Sequence, residues 1–251
     1  MERLSGAKDV INNSFYEALG DKWYTASDHP IALLRAENTL RAPWVIEEVK
    51  KQLGAHAKCL DMGCGGGFLS NALAASGFDV TGIDLCKVSL DVARKYDQTR
   101  SVKYLEGNAC HLPFEDGSFD VVLAMDILEH VDTPLQLIKE AARVLKPNGL
   151  FFFHTFNRNF LSYLVAIKGM EWFVENTPKN IHVYPLFIKP CELKSMCKEE
   201  GLDVMKLMGF SPKVCSLAFW KMLYRGKVPS DFSFHFTKSL ATGYCGYASK
   251  L

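Results

Sequence analysis

The feature that most constrains the fold of this chain is an apolar run that leads into a glycine-rich turn and then into a helical pattern. Residues 59–69 read CLDMGCGGGFL. A buried strand that ends in glycines and opens a helix is typical of an open α/β sheet, where ligands bind beyond the carboxyl ends of the strands. The stretch therefore predicts both a fold class and the position of a binding site.

The alternation of strand and helix patterns continues beyond this turn. Strands separated by helices predict right-handed crossovers and a parallel sheet. The predicted strands are 58–62, 78–83, 102–106, 119–125, 150–156 and 203–210, and the predicted helices are 68–75, 88–96, 134–145 and 192–200. We expect one domain over residues 1–251. It would carry a helical N-terminal cap at 1–54, broken near Pro43, and an aromatic-rich insertion at 157–187. Residues 211–251 show no clear period.

Composition and charge exclude several classes of protein. The net charge is +1 over 251 residues, with no run of five like charges, so nucleic acid is not expected as the main partner. Eight cysteines without C-x-x-C spacing predict reduced, buried thiols in the cytoplasm. No apolar segment approaches the roughly 18 residues that a membrane-spanning helix needs.

The glycine spacing and one aspartate predict the ligand. Phe68 stands where a dinucleotide fingerprint requires its third glycine, and the Lys-Ser/Thr pair of a P-loop is absent. Asp61, two residues before Gly63, would repel a pyrophosphate and attract an ammonium group. Gly63 and Gly65 would let the backbone approach the ligand closely. We therefore expect a cationic nucleoside without phosphates, and S-adenosylmethionine fits that description.

Two further side chains extend the predicted cofactor site. Asp84 ends the second predicted strand, where a carboxylate can accept both ribose hydroxyls, as it also does in NAD sites. Asn108 follows the third predicted strand. Its side chain would either reach the adenine or only form a turn.

Four motifs in order resemble the class I methyltransferase fold. They are LDMGCGGG, GID, LPFEDGSFDVV and VLKPNG, and they lie between residues 58 and 153. The resemblance implies a Rossmann-like sheet of seven mostly parallel strands, with helices on both faces and a lid insertion.

Two longer stretches, at residues 124–134 and 155–193, resemble the ubiquinone-biosynthesis O-methyltransferases, which methylate catechol hydroxyls on polyprenylated rings. The second carries FNRN, GMEW and FIKP, and the segment ENTLRAPWV resembles the family further upstream. The resemblance implies that Arg41, Gly63, Asp84 and Met125 contact the cofactor. Arg41 would pair with the methionine carboxylate and Met125 would pack on the adenine, although Arg41 could instead be a surface arginine. Beyond Gly209 the family pattern is not aligned.

The stretch DILEH supplies candidates for catalysis. A phenolic hydroxyl has a pKa of about 10, so a base or a metal ion assists its attack. We expect His130 to be the general base and Glu129 to orient it, the alternative being that His130 only packs after the strand. The family pattern is E-x-x-E-H, and Asp126 replaces its first glutamate. If the family's divalent cation is used, Asp126, Glu129 and His130 would bind it as Mg²⁺.

The insertion at 157–187 is more apolar than a surface connection needs to be. The resemblance implies that it contacts anionic lipid at the inner face of the membrane, where a polyprenylated phenol or quinol is found; the alternative is a lid packed on its own sheet. The leading hypothesis is thus a ubiquinone-biosynthesis O-methyltransferase. The alternatives are methylation of another lipid-like phenol or small molecule, a silent S-adenosylmethionine-binding module, and an oxidoreductase, which Asp61 and Phe68 disfavour.

Overall fold

The computed structural model describes residues 12–251 and is built around one eight-stranded sheet. The strands are β1 (Lys58–Met62), β2 (Asp79–Asp84), β3 (Lys103–Glu106), β4 (Phe119–Met125), β5 (Leu145–Phe156), β6 (Leu202–Pro212), β7 (Phe234–Thr237) and β8 (Gly243–Lys250). Their order across the sheet is β3-β2-β1-β4-β5-β8-β6-β7. The first six strands run in one direction, and β7 and β8 run against them.

Helices cover the sheet and its carboxyl edge. They are α1 (Lys22–Thr25), α2 (Ile31–Leu53), α3 (Phe68–Ala75), α4 (Lys87–Tyr96), α5 (Pro134–Val144), α6 (Phe160–Ser162), α7 (Gly169–Phe173), α8 (Pro190–Glu199) and α9 (Leu217–Arg225). A π-helix at Tyr163–Lys168 joins α6 to α7, and short 3-10 helices lie at Ser14–Ala18, Leu128–His130 and Tyr184–Leu186. Within residues 12–251, every helix is too short or too polar to span a membrane.

Alternation along the central strands creates two cores. Val121 and Leu123 of β4 face α2 and α3, whereas Val122 and Ala124 face α5 and α8. Successive strand residues point to opposite faces, so a continuous apolar run is what a strand covered on both sides requires. The prediction of a mostly parallel α/β sheet with helices on both faces is confirmed.

The predicted number of seven strands was wrong, because the chain after Pro212 adds an edge strand. It leaves the sheet to form α9 and returns as β7 beside β6. The rings of Phe210 and Phe234 stack across this pair with their centroids 4.9 Å apart, and both side chains are buried. This packing against α9 stabilises a four-residue strand whose own sequence shows no clear strand pattern.

Two smaller predictions also needed correction. Helix α2 runs unbroken through Pro43, because Trp44, Val45 and Val49 bury its following turns against the sheet. All eight cysteines are free, but Cys86 is only partly buried, and Cys191 in the first turn of α8 and Cys215 just before α9 are exposed. Residues 1–11 of the predicted N-terminal cap lie outside the described residues.

Candidate active site

A cavity of about 720 Å³ lies beyond the carboxyl ends of β1, β2 and β4. Its wall includes every residue predicted for the site except Glu129. These are Arg41, Asp61, Gly63, Gly65, Asp84, Asn108, Met125, Asp126 and His130. The strand topology explains this convergence, because β1 lies between β2 and β4 and all three strands end at the same edge.

The glycine turn between β1 and α3 depends on left-handed backbone. Gly63, Gly65 and Gly67 have φ angles of 69°, 51° and 80°. A Cβ added at Gly67 would lie 2.4 Å from the Tyr104 hydroxyl, so this position requires glycine for space as well as for its φ angle.

The turn is anchored to β2 by Asp84. The Gly65 N–H donates to Asp84 Oδ2 at 2.8 Å, and the Cys86 N–H donates to Oδ1 at 2.8 Å. A carboxylate has about four acceptor positions, so two remain for further donors such as ribose hydroxyls. Burial raises the pKa of Asp84 even though these backbone bonds oppose the shift.

Asp61 lies on the α3 side of β1. Its Oδ2 accepts a hydrogen bond of 2.6 Å from the Ser70 hydroxyl, and the side chain is buried. Burial raises the pKa of Asp61 to about 7, so the carboxyl group is partly protonated near neutral pH. A cation placed beside it would favour the ionised form.

Aromatic residues from the N-terminal segment cover this turn. An added Cβ would lie 2.6 Å from the Trp23 ring at Gly65 and 2.5 Å from it at Gly66. Tyr16 stacks on Trp23 with a centroid distance of 5.6 Å, and both line the cavity. Neither residue was predicted from the sequence, because side chains that pack on a loop need not follow any period.

Asn108 and Met125 also line the cavity. Asn108 Oδ1 accepts from the Cys110 N–H at 2.9 Å, which is a turn interaction, while the residue also lines the cavity. Met125 is buried at the end of β4 and belongs to the core on the α2 side.

Arg41 is buried and paired within the protein. Its Nη1 and Nη2 contact Asp126 Oδ1 and Oδ2 at 2.7 and 2.6 Å, and Glu37 Oε2 lies 3.3 Å from Nη1. The Arg41 guanidinium, with His154, holds the pKa of Asp126 well below its usual range despite burial. Burial raises the pKa of Glu37 to about 8, although Arg41 opposes the shift.

His154 is a second partner of Asp126, and it was not among the residues predicted from the sequence. It lies fully buried on β5, in register with Met125, and its Nδ1 contacts Asp126 Oδ1. Its Nε2 has no hydrogen-bond partner among residues 12–251. A histidine within the apolar run of 150–156 was the available signal, since a buried polar side chain usually has a specific partner.

Glu129 and His130 lie on the 3-10 helix that follows β4, but they face different surroundings. Thr155 Oγ1 donates to Glu129 Oε2 at 2.8 Å, while Glu129 Oε1 has no partner within the described part of the chain. Burial raises the pKa of Glu129 to about 8. Burial and His182, whose ring centroid lies 5.5 Å from that of His130, lower the pKa of His130 to about 3.

The three predicted metal ligands do not converge as one set. Within residues 12–251, Glu129, His130 and His182 can present ligand atoms within 4.8 Å of one another, and so can Glu37, Asp126 and His154. Asp126 is engaged by Arg41 and His154 instead of joining Glu129 and His130. The first group has two imidazoles and only one carboxylate, which is not the oxygen-rich set that Mg²⁺ prefers. The second has two carboxylates, but Arg41 holds both oxygens of Asp126, so the residues as arranged do not fit that ion.

Solved structures share this architecture. The chain is similar to a methyltransferase from Thermotoga maritima described as S-adenosylmethionine-dependent and a possible histamine N-methyltransferase. The TM-score is 0.65 at 19% identity, covering 95% of this chain and 99% of that one. Magnesium protoporphyrin IX methyltransferase from Synechocystis PCC 6803, solved with S-adenosylhomocysteine, matches with a TM-score of 0.65 at 15% identity, covering 98% of each chain.

Sequence comparison is more specific. A family model described as a methyltransferase domain matches residues 60–153. The ubiquinone biosynthesis O-methyltransferase of Thiobacillus denitrificans is 40% identical over 206 residues, covering 81% of this chain and 87% of the relative. That of Actinobacillus pleuropneumoniae serotype 7 is 36% identical over 218 residues, covering 82% and 89%. With the glycine turn, Asp84 and the DILEH segment gathered around one cavity, this chain belongs to the ubiquinone biosynthesis O-methyltransferase family.

Proposed function

We propose that the protein transfers the methyl group of S-adenosylmethionine to a catechol-type hydroxyl on a polyprenylated ring, with residues 1–251 acting as one methyltransferase domain. The observation that carries this proposal is the single cavity shared by the cofactor residues and His130. Its volume of about 720 Å³ is within the range of small-molecule sites. The names of the curated relatives supply the class of acceptor.

Each predicted cofactor residue has a proposed contact. Asp84 would accept the ribose hydroxyls with its remaining lone pairs, and Asp61 would face the ammonium group of the methionine end. The backbone of Gly63 and Gly65 would line the path between them, with Met125 and Asn108 near the adenine. For Arg41 to bind the methionine carboxylate, that carboxylate has to compete with Asp126, which now holds both terminal nitrogens.

His130 is proposed to accept the proton of the attacking hydroxyl. The Asn13 Nδ2 donates to the His130 carbonyl at 3.4 Å, so Asn13 Oδ1 faces His130 Nδ1 at 3.1 Å. An amide oxygen only accepts, so Nδ1 carries the hydrogen and Nε2 keeps its lone pair. The low pKa of His130 keeps the ring unprotonated at neutral pH. Burial and His182 also make the ring a weak base, and the negative charge of Asp126 acts against this by favouring the imidazolium that forms on proton transfer.

Methyl transfer itself requires mainly positioning. The sulfonium already activates the methyl carbon, so the protein has to hold the phenolic oxygen about 3 Å away and in line with the breaking bond. Glu129 does not line the cavity, and its carboxylate accepts a hydrogen bond from Thr155 on β5. We propose that it acts as a positioning residue through this bond, which fixes the 3-10 helix that carries His130.

The insertion at 157–187 is proposed to serve the acceptor. Leu164, Ala166 and Met170 line the cavity, so the inner surface of the segment is a wall for an apolar substrate. Phe160 and Trp172 are exposed on the outside. We propose that this outer surface contacts anionic lipid, which would place a cytoplasmic protein at the inner face of the membrane.

Use of a divalent cation is a separate proposal. Among residues 12–251, Glu129, His130 and His182 can bring their ligand atoms within 4.8 Å of one another, and two imidazoles with one carboxylate suit a transition metal better than Mg²⁺. Activity lost on chelation and restored by one added cation would support this proposal. Full activity after exhaustive chelation would show that no cation is needed and that a general base alone removes the proton of the hydroxyl.

The decisive experiment identifies the product. The purified protein is incubated with methyl-labelled cofactor and either a short-chain prenylated catechol or a crude lipid extract, and products are analysed by mass spectrometry. The proposal predicts one added methyl group on a ring oxygen. Label on a non-phenolic lipid would indicate a different acceptor class, and cofactor binding without any turnover would indicate a silent binding module.

A further inference from the structure

Helix α9 has an unusual outer face. Its exposed apolar side chains are Leu217, Trp220 and Tyr224, with 68, 60 and 90% of their surface accessible. They recur at spacings of three and four residues and so lie on one side of the helix. The opposite side is buried, with Ala218 and Met222 packed into the core formed with β6 and β7. Three large apolar groups are thus held outward by a firmly packed helix.

Basic side chains predominate in the segment that carries this face, although Glu175 lies against its C-terminal end at Gly226. Residues 213–227 contain four basic side chains and no acidic one. All four are exposed, and none of them forms an ion pair with another residue in the range 12–251. They are Lys213, Lys221, Arg225 and Lys227. Exposed aromatic and aliphatic groups flanked by unpaired cations are the pattern of a helix that lies at the surface of an anionic bilayer.

The other side of α9 is a wall of the cavity. Phe219, Met222 and Leu223 line it, and α9 contacts α7, whose Phe173 lines it as well. Phe173 and Val165, near this end of the cavity wall, are each 37% exposed. One helix therefore has an inner face in the acceptor site and an outer face suited to lipid.

We propose that α9 lies on an anionic lipid bilayer through Leu217, Trp220 and Tyr224, and that the cavity opens toward this bilayer beside α7 and α9. The apolar chain of the acceptor then passes from the lipid to the ring site along Phe173, Phe219 and Leu223. The route rests on the proposed function, since it needs an acceptor with an apolar chain. The docking of α9 does not depend on catalysis.

Vesicle co-sedimentation tests the docking. The full-length protein is mixed with phosphatidylcholine vesicles made with or without phosphatidylglycerol, and bound and free protein are measured. Binding should need the anionic lipid and should weaken with added salt. Replacing Lys221 and Arg225 together by glutamine should reduce the partition coefficient roughly tenfold or more. Equal binding to both kinds of vesicle would overturn the electrostatic part of the proposal.

The outer face is tested by one triple variant and a matched control. Leu217→Ser, Trp220→Ser and Tyr224→Ser combined should lower vesicle binding at least tenfold, with an unchanged circular dichroism spectrum and melting temperature. The control replaces Leu105 and Met205, which are exposed apolar residues on β3 and β6, by serine. Wild-type binding by the triple variant would overturn the proposal. A concentration-dependent dimer that only this variant abolishes would assign the face to a second copy instead.

Separate experiments test the acceptor route and the proposed function. The triple variant should lose at least tenfold in rate on a polyprenylated catechol carried in anionic vesicles, and an undiminished rate there would overturn the route. Methyl transfer to a catechol without a chain, measured with wild-type protein and no vesicles, tests the proposed function alone. Failure of that reaction leaves the vesicle-binding result intact.

Discussion

Arg41 and Asp126 form a two-point ion pair inside the cavity, with nitrogen–oxygen distances of 2.7 and 2.6 Å. The pair joins α2 to the residue that follows β4, so it connects the N-terminal helices to the carboxyl edge of the sheet. Asp126 adopts a left-handed φ of 61°, which is uncommon for a residue with a side chain. His154 contacts the same carboxylate from β5, so three elements meet at one side chain.

Removing Asp126 should destabilise the protein, because Arg41 would be left buried without its main partner. We expect Asp126→Ala to lower the free energy of unfolding by roughly 3 kcal/mol, measured by urea titration. Asp116→Ala is the matched control, since Asp116 pairs with Arg143 at the surface and is highly exposed. That variant should change stability by less than about 1 kcal/mol. Equal losses in the two variants would contradict the structural role assigned to Asp126.

Cofactor binding should depend on pH through Asp61. Burial raises the pKa of this carboxyl group to about 7 in the free protein, and a bound ammonium group would favour its ionised form. Affinity should therefore rise as pH increases toward 7, and below that point it should fall by up to about tenfold per pH unit. Calorimetry on Asp61→Asn should show weaker binding without this slope. A variant that kept the slope would assign it to another group, such as Glu37.

Asp84 should matter both for the cofactor and for the turn. Asp84→Ala removes the acceptor of the Gly65 N–H and the proposed ribose contact, so we expect cofactor affinity to fall at least tenfold, about 1.4 kcal/mol. Asp79→Ala changes an exposed aspartate at the other end of β2 and should leave affinity unchanged. Unaltered binding by Asp84→Ala would refute the proposed placement of the ribose.

His130 should affect turnover more than cofactor affinity. We expect His130→Ala to lower kcat by roughly a hundredfold or more, the range of a lost general base. The dissociation constant of the cofactor should stay within about twofold, because no cofactor contact is assigned to this ring. His111→Ala, at an exposed position, serves as the control. A normal kcat in His130→Ala would require a different base.

The central part of the fold was predictable from sequence because its signals are local. The bounds of β1, α3 and β4 agree with those expected from apolar runs ended by glycine or charge. The end of the chain was not predictable in this way. Strand β8 is set by pairing with β5 and β6, and it contains Gly246, where a Cβ would lie 2.1 Å from the Lys206 carbonyl oxygen. Close packing thus requires glycine at position 246, and a glycine inside a strand weakens the sequence pattern by which the strand could be predicted.

The candidate site likewise has residues that the sequence predicts and residues that it does not. Asp61, Gly63 and Asp84 were found because each lies at a strand end, which parallel topology brings to one edge. Trp23 and Tyr16 come from a segment that packs on the turn from outside, and their contacts follow no periodicity. The partners of Asp126 could not be inferred either, since spacing along DILEH does not reveal that Arg41 and His154 hold this carboxylate.

The cavity has exposed lining residues at both ends, with Leu85 beside the nucleoside end and Phe173 at the insertion. On the proposed function, we expect the cofactor and the acceptor to enter at different ends of the cavity, so that neither has to bind first. We then expect the spent nucleoside to leave on the aqueous side independently of the methylated product.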